Sequence, residues 1–181
     1  MPRSFRTILI DPPWPESGGG RIKRGADRHY PLVKVRDIPG VILGSGVFSP
    51  ADDAHLYLWA TNNYLGDALA IIPQLGFRYV TCITWAKPGR PGLGQYFRGQ
   101  TEHLLFAVRG DGMGLRRSWT PRRDLSTYVL ADRPRDVAGK IIHSAKPNES
   151  YELVEAASPP PRLEMFARRR RRSWTSWGNE L

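Results

Sequence analysis

An apolar run at residues 7–10 stops abruptly at Asp11-Pro12-Pro13-Trp14, and that junction constrains the fold of this 181-residue chain more than any other segment. Proline fixes φ and lacks an amide donor, so a strand cannot continue through it. Residues 7–10 therefore read as a short buried strand that presents Asp11 at its end. Apolar runs at 56–60, 79–85, 103–108 and 163–166 read as further strands, with shorter candidates at 126–130 and 174–177. Residues 64–75 carry apolar side chains at 65, 68, 69 and 72, a helical spacing that Gly76 closes. A second helix over 150–157 is stopped by Pro159-Pro160-Pro161. Strands alternating with helices predict an α/β domain of three layers around a mostly parallel sheet. Ligands in such sheets sit beyond the carboxyl ends of the strands, which selects the loops that begin at Asp11, Thr61, Lys87 and Ala167.

Length predicts a single domain over 1–181. Hydrophobic residues at 40% can build a core, which excludes wholesale disorder. No apolar run approaches the roughly 20 residues of a membrane span, and the N-terminal apolar stretch is too short for a signal peptide. The expectation is a cytoplasmic protein without a membrane partner. One cysteine and four histidines, none at zinc-ligand spacing, predict no metal. Lys and Arg total 27 against 17 acids, a net charge of +10, and only five of the 27 are lysines. Arginine pairs with phosphate through a planar fork and stacks on bases, so this balance points to a polyanion. Arg116, Arg117, Arg122 and Arg123 surround Trp119, a pattern suited to a phosphate backbone with one stacked base. Lys87, Arg98, and Arg169 with Arg170 in the arginine run at 168–172 are further candidate contacts. Residues 15–31 and 110–124, rich in Gly and charge, are expected to be mobile loops.

The Asp11-Pro12-Pro13-Trp14 junction also has a chemical logic. A carboxylate at a strand end, carbonyls on residues that cannot donate, and a flat indole together suit an exocyclic amine on a stacked ring. This tetrapeptide is the signature of adenine N6-methyltransferases that use S-adenosylmethionine. The chain resembles their MT-A branch from residue 8 to residue 181. His29-Tyr30-Pro31, Trp85-Ala86-Lys87 and Glu102-His103 follow in that branch's order. His143-Ser144-Ala145-Lys146-Pro147-Asn148-Glu149 resembles its Lys-Pro-Asp-Glu element. Leu163-Glu164-Met165-Phe166-Ala167-Arg168, Trp174 and Trp177-Gly178-Asn179-Glu180 resemble its closing motif.

The resemblance implies a Rossmann-like, doubly wound methyltransferase fold with permuted motif order, the catalytic strand first and the cofactor strand last. It implies methyl transfer from S-adenosylmethionine, with S-adenosylhomocysteine as product, to the N6 amine of adenine in nucleic acid. DNA is preferred to RNA because the chain is as compact as bacterial and phage enzymes of the branch. Asp11, Pro12, Pro13 and Trp14 become the catalytic segment, with Trp14 and Tyr30 holding the base. Asp11, Lys146, Phe166, Arg168, Asn179 and Glu180 become the cofactor residues, with Lys146 on the methionine carboxylate. Asn148 and Ala167 depart from the branch's usual Asp and Gly. An RNA adenosine methyltransferase and a non-catalytic nucleic-acid-binding partner of the same fold are the alternatives. Relatives often pair, so a homodimer or a related partner subunit is also anticipated.

Overall fold

The computed structural model describes residues 4–15, 33–91, 96–110, 124–179 and 181. β1 (Phe5–Ile10) is followed by a short helix α1 (Ile38–Leu43), β2 (Pro50–Ala60) and helix α2 (Leu65–Gln74). β3 (Arg78–Ala86), β4 (Thr101–Arg109) and β5 (Tyr128–Leu130) come next. Helix α3 (Asn148–Ala157), β6 (Arg162–Met165) and β7 (Trp174–Trp177) complete the order. The predicted strands and helices all occur, most of them longer by a few residues. Sequence reading missed α1, whose six residues include Pro39 and Gly40, poor helix formers that mask the apolar spacing.

The strands form one sheet in the order β5-β3-β4-β2-β1-β6-β7. β1 lies parallel to both β2 and β6, β6 to β7 and β3 to β5. β4 pairs antiparallel with both β2 and β3, so it alone runs against the rest. The expected doubly wound, mostly parallel sheet is present, and the first strand of the chain lies near its centre.

Side-chain alternation along each strand sends successive residues to opposite faces, and each face carries its own helices. Ile8, Ile10, Leu56 and Leu58 pack with Ile38 and Ile42 of α1 and with Ala68, Ile71 and Ile72 of α2. Leu9, Tyr57, Trp59 and Leu104 pack with Tyr151 and Val154 of α3 on the other face. A one-residue slip of β1 would exchange these two sets, so packing fixes its register. At the sheet edge, the Ala167 amide donates to the Trp177 carbonyl at 2.9 Å. A Cβ on Gly178 would stand 2.2 Å from the Ala167 carbonyl oxygen, so only glycine allows this approach.

His55 on β2 sits against Ser158, with Nδ1 and Oγ 2.6 Å apart. Burial, aided by the nearby Arg6 cation, lowers its pKa from 6.5 to about 4. A histidine with a depressed folded pKa contributes stability above its unfolded value and loses it as pH falls through the folded value. Glu164 titrates with the opposite sign, because burial raises its pKa, so the test is a difference between proteins. We expect wild type to lose about 3 kcal/mol relative to His55→Asn between pH 6.5 and 4, at about 1.4 kcal/mol per pKa unit. Urea unfolding across that range measures it, and parallel pH profiles for the two proteins would refute the assignment.

Candidate active site

Because β4 alone is inverted, its first residues share the sheet edge with the last residues of β1, β2, β3 and β6. Asp11 follows β1 there, Lys87 follows β3, and Glu102 opens β4. The turn before α3 brings in Lys146. Its ammonium donates to Asp11 Oδ1 at 2.8 Å and Oδ2 at 2.7 Å, and to the Ser144 carbonyl at 3.2 Å. It also lies 3.4 Å from Glu102 Oε2, while Lys87 holds Oε1 of the same carboxylate. Two cations and two carboxylates from four chain segments thus alternate in a neutral row.

The row is largely removed from water. Side-chain exposure is 7% for Lys146, 15% for Glu102 and 12% for Lys87, against 22% for Asp11. Trp59 lies beneath Lys146 at 5.4 Å and Trp85 beneath Lys87 at 4.5 Å, each presenting its ring to an ammonium. Burial alone would lower the Lys146 pKa, but the Asp11 and Glu102 carboxylates outweigh it and hold the value above that of a free lysine. Burial would likewise raise the pKa of Glu102, and Lys146 and Lys87 together bring it below the usual carboxylate value. Lys146 and Glu102 are therefore both charged at neutral pH, and Asp11 is the most exposed member of the row.

The structure revises the expected part of Trp14. Its indole is 4% exposed, donates to the Trp59 carbonyl at 2.9 Å and stacks on Tyr64 with centroids 5.4 Å apart. With an occupied face and a satisfied N–H, it anchors the loop after Asp11 to the sheet rather than offering a stacking surface. The Pro12 carbonyl, expected to be free, accepts the Trp14 amide at 2.8 Å. A carbonyl has two lone pairs, so one acceptor site remains there. Lys87 is revised too: it is paired within the row, not free to meet a phosphate. Glu102, quoted for its place in the motif order, was given no role by the sequence, although an acid opening an apolar strand was the available signal.

Beyond β6, Phe166 adopts φ 60° and meets Trp177 edge-on at 5.4 Å. Arg168 donates to the His143 carbonyl at 2.9 Å and so steadies the turn that carries Lys146. Arg169 and Arg171 both reach Asn148 Oδ1 at 3.0 Å, and Arg171 lies 3.4 Å over the Tyr151 ring. The arginine run thus has structural members at 168, 169 and 171. Residues 169–172 with Glu155 line an open cavity of about 340 Å³. Asn179 is exposed just past β7, and Arg98 is exposed between β3 and β4. Tyr30, Arg116, Arg117, Trp119, Arg122, Arg123 and Glu180 lie outside the described residues, as do most of both loops expected to be mobile. Among the described residues, no group of three His, Cys, Asp or Glu side chains could hold a metal ion. No described helix is long and apolar enough to cross a membrane.

A second cavity of about 340 Å³ opens against the charged row, lined by Trp85, Lys87, Glu102, Arg133 and residues 141–145. Its lining sets the apolar Ile141 and Ile142 beside charged donors and acceptors, the mixed character of a site for a polar ligand.

The family described as MT-A70 matches residues 5–180. A type II methyltransferase of a Mycoplasma species, M.MunI, is 25% identical, aligning with 100% of this chain and 80% of its own. The N6-methyladenosine RNA methyltransferase MTA1 of Cryphonectria parasitica is 28% identical over 98% of this chain and 52% of its own. The N(6)-adenosine-methyltransferase catalytic subunit METTL3 of Homo sapiens is 25% identical over 98% of this chain and 28% of its own. This chain therefore spans most of the first relative and about half or less of the other two.

The row itself predicts a stability effect. Lys146→Met keeps the volume but strips Asp11 of its cation and leaves Glu102 with Lys87 alone, and breaking a buried pair this way costs about 3–5 kcal/mol. Urea unfolding at pH 7 checks it. A loss below about 1 kcal/mol would mean that the carboxylates do not depend on Lys146.

Proposed function

The chain belongs to the MT-A70 family of adenine N6-methyltransferases, and on that premise we propose that it methylates adenine in DNA with S-adenosylmethionine as donor. The observation that carries this reading is Asp11, the most exposed member of the row at the carboxyl end of β1, with its carboxylate plane fixed by Lys146. The choice of DNA follows the type II methyltransferase, 80% of which this chain covers, over the RNA methyltransferases it spans far less fully.

The residues past β6 and β7 suit the cofactor. Glu164 Oε2 is buried without a partner one residue before β6 ends, an acceptor of the kind a hydroxyl would satisfy. Phe166 and Trp177 give an aromatic edge for a purine, with Arg168, Asn179 and Glu180 as the proposed polar contacts. Asp11 and Lys146 carry the charges opposite to an amino acid's ammonium and carboxylate. For Lys146 this means yielding one of its present partners, since Asp11, Glu102 and the Ser144 carbonyl already occupy its donors. The bound cofactor supplies a methyl group activated by positively charged sulfur.

The protein's own task is then to make a poor nucleophile attack. The adenine amine is weak because its lone pair is delocalised into the ring. Asp11 accepting one N–H and the remaining Pro12 lone pair accepting the other would localise that pair on nitrogen and aim it. The nitrogen takes the methyl group in line, and its surplus proton leaves along the hydrogen bond to Asp11 or to water. In a duplex the base must first leave the stack. The cavity beside the row is the space we assign to it, with Tyr30 and the arginines around Trp119 as proposed contacts to substrate.

Asp11→Ala is expected to lower turnover by at least about 10²–10³-fold while leaving DNA affinity within about twofold. Mass spectrometry of digested DNA for N6-methyladenine, run beside a binding titration, checks both; substantial turnover would reject the mechanism. The same assay on matched RNA distinguishes the two substrates. For the arginine run, Arg170→Ala with Arg172→Ala spares the members bonded to Asn148. If both arginines meet phosphates, the slope of log affinity against log salt should flatten by about 1.8 on duplex DNA. An unchanged slope would remove this segment from the interface.

A further inference from the structure

The connection between β3 and β4 carries two large aromatic side chains in open solvent, Tyr96 at 92% exposure and Phe97 at 91%. Scattered exposed apolar residues need no explanation, but two adjacent aromatics at full exposure form a surface awaiting an occupant. The root of this hairpin is held firmly. The Lys87 amide donates to the Gln100 carbonyl at 2.8 Å, and the Gln100 side chain donates to the Gly89 carbonyl at 2.9 Å. That root is also part of the charged row, because Lys87 holds Glu102. Tyr96 stands six positions before Glu102, so at most about 20 Å of extended chain separates it from the candidate active site.

Charge selects the occupant. Beyond Lys87, the charged residues among the described part of the hairpin are Arg90 and Arg98, both exposed. No carboxylate accompanies them there. A second copy of the chain would bring another +10 against this surface, whereas a polyanion complements it. Flat rings bracketed by guanidinium groups match bases that have lost their stacking partners, with phosphates on either side. Turning an adenine out of a duplex creates such bases next to the vacancy.

We propose that Tyr96 and Phe97 form a stacking platform for the unstacked bases flanking the target adenine, with Arg90 and Arg98 on the adjoining phosphates. This rests on the nucleic-acid reading above and extends it to a second contact region. The platform repays part of the unstacking cost beside the reaction centre and tolerates any base, since every base offers a π-face.

The test is affinity for a mixed-sequence single-stranded DNA oligonucleotide, measured by fluorescence anisotropy across a salt series without cofactor. Tyr96→Ala and Phe97→Ala should each weaken binding by about 5- to 150-fold with an unchanged salt slope. Arg90→Ala and Arg98→Ala should each flatten the slope by about 0.7. Tyr96→Trp and Phe97→Trp should retain affinity, and the thermal midpoint of the alanine variants should match wild type because neither ring is buried. Unchanged affinity in Tyr96→Ala with Phe97→Ala would overturn the platform. So would a change confined to sedimentation, which would make the hairpin a protein interface. Failure here is separable from failure of the reaction. Wild type that forms N6-methyladenine beside fully binding variants defeats the platform alone. Lost affinity in the variants beside an inactive wild type upholds the platform and defeats the reaction.

Discussion

Lys146 is the group on which the rest of this edge depends. A buried ammonium is tolerable only when its charge is met at close range, and here two carboxylates and a carbonyl meet it. Those acceptors come from the end of β1, the start of β4 and the turn before α3. No two are neighbours in sequence, so the ion pairs tie the beginning, middle and last third of the chain together. The inverted β4 is what makes the arrangement possible. Were it parallel to its neighbours, Glu102 would lie at the far edge of the sheet, leaving Lys87 and Lys146 adjacent without an anion between them.

The same interactions prepare Asp11. Each carboxylate oxygen carries two lone pairs, and Lys146 takes one from each. The clamp fixes the plane of the carboxylate while leaving acceptor capacity on its outer side. Beneath it, Trp14 is locked by its bond to the Trp59 carbonyl and its stack on Tyr64. The prolines between them have fixed φ, so little freedom remains from β1 to the indole. Geometry that a reaction would otherwise have to organise is thereby established by folding.

The legible parts of the sequence were those where local pattern and tertiary role agree. Buried strands announced themselves as apolar runs, and α2 announced itself by spacing and by Gly76, which takes φ 79°. β2 proved longer than its apolar core because Ala54 and His55 are recruited by pairing with Arg109 and Val108, a relation that the long intervening sequence conceals. Trp14 and Lys87 were misread for one reason. An indole that stacks a base and one that pins a loop look alike in sequence, as do a lysine that meets phosphate and one that neutralises a buried glutamate. Burial separates them, and burial is a property of the assembled sheet. Glu102 was overlooked because its value lies in partners 15 and 44 residues away.

Asn148 illustrates how a departure from a family pattern can be absorbed. An aspartate there would be an ionised acceptor for Arg169 and Arg171, whereas Asn148 offers both guanidinium groups one neutral amide oxygen. The bonds are correspondingly weaker, and both arginines keep more of their charge uncompensated beside the 340 Å³ cavity they help to line. A substitution that costs some local order thus leaves this face more strongly positive. In a chain whose excess charge is carried almost wholly by arginine, that exchange favours attraction of a polyanion over rigidity of the loop.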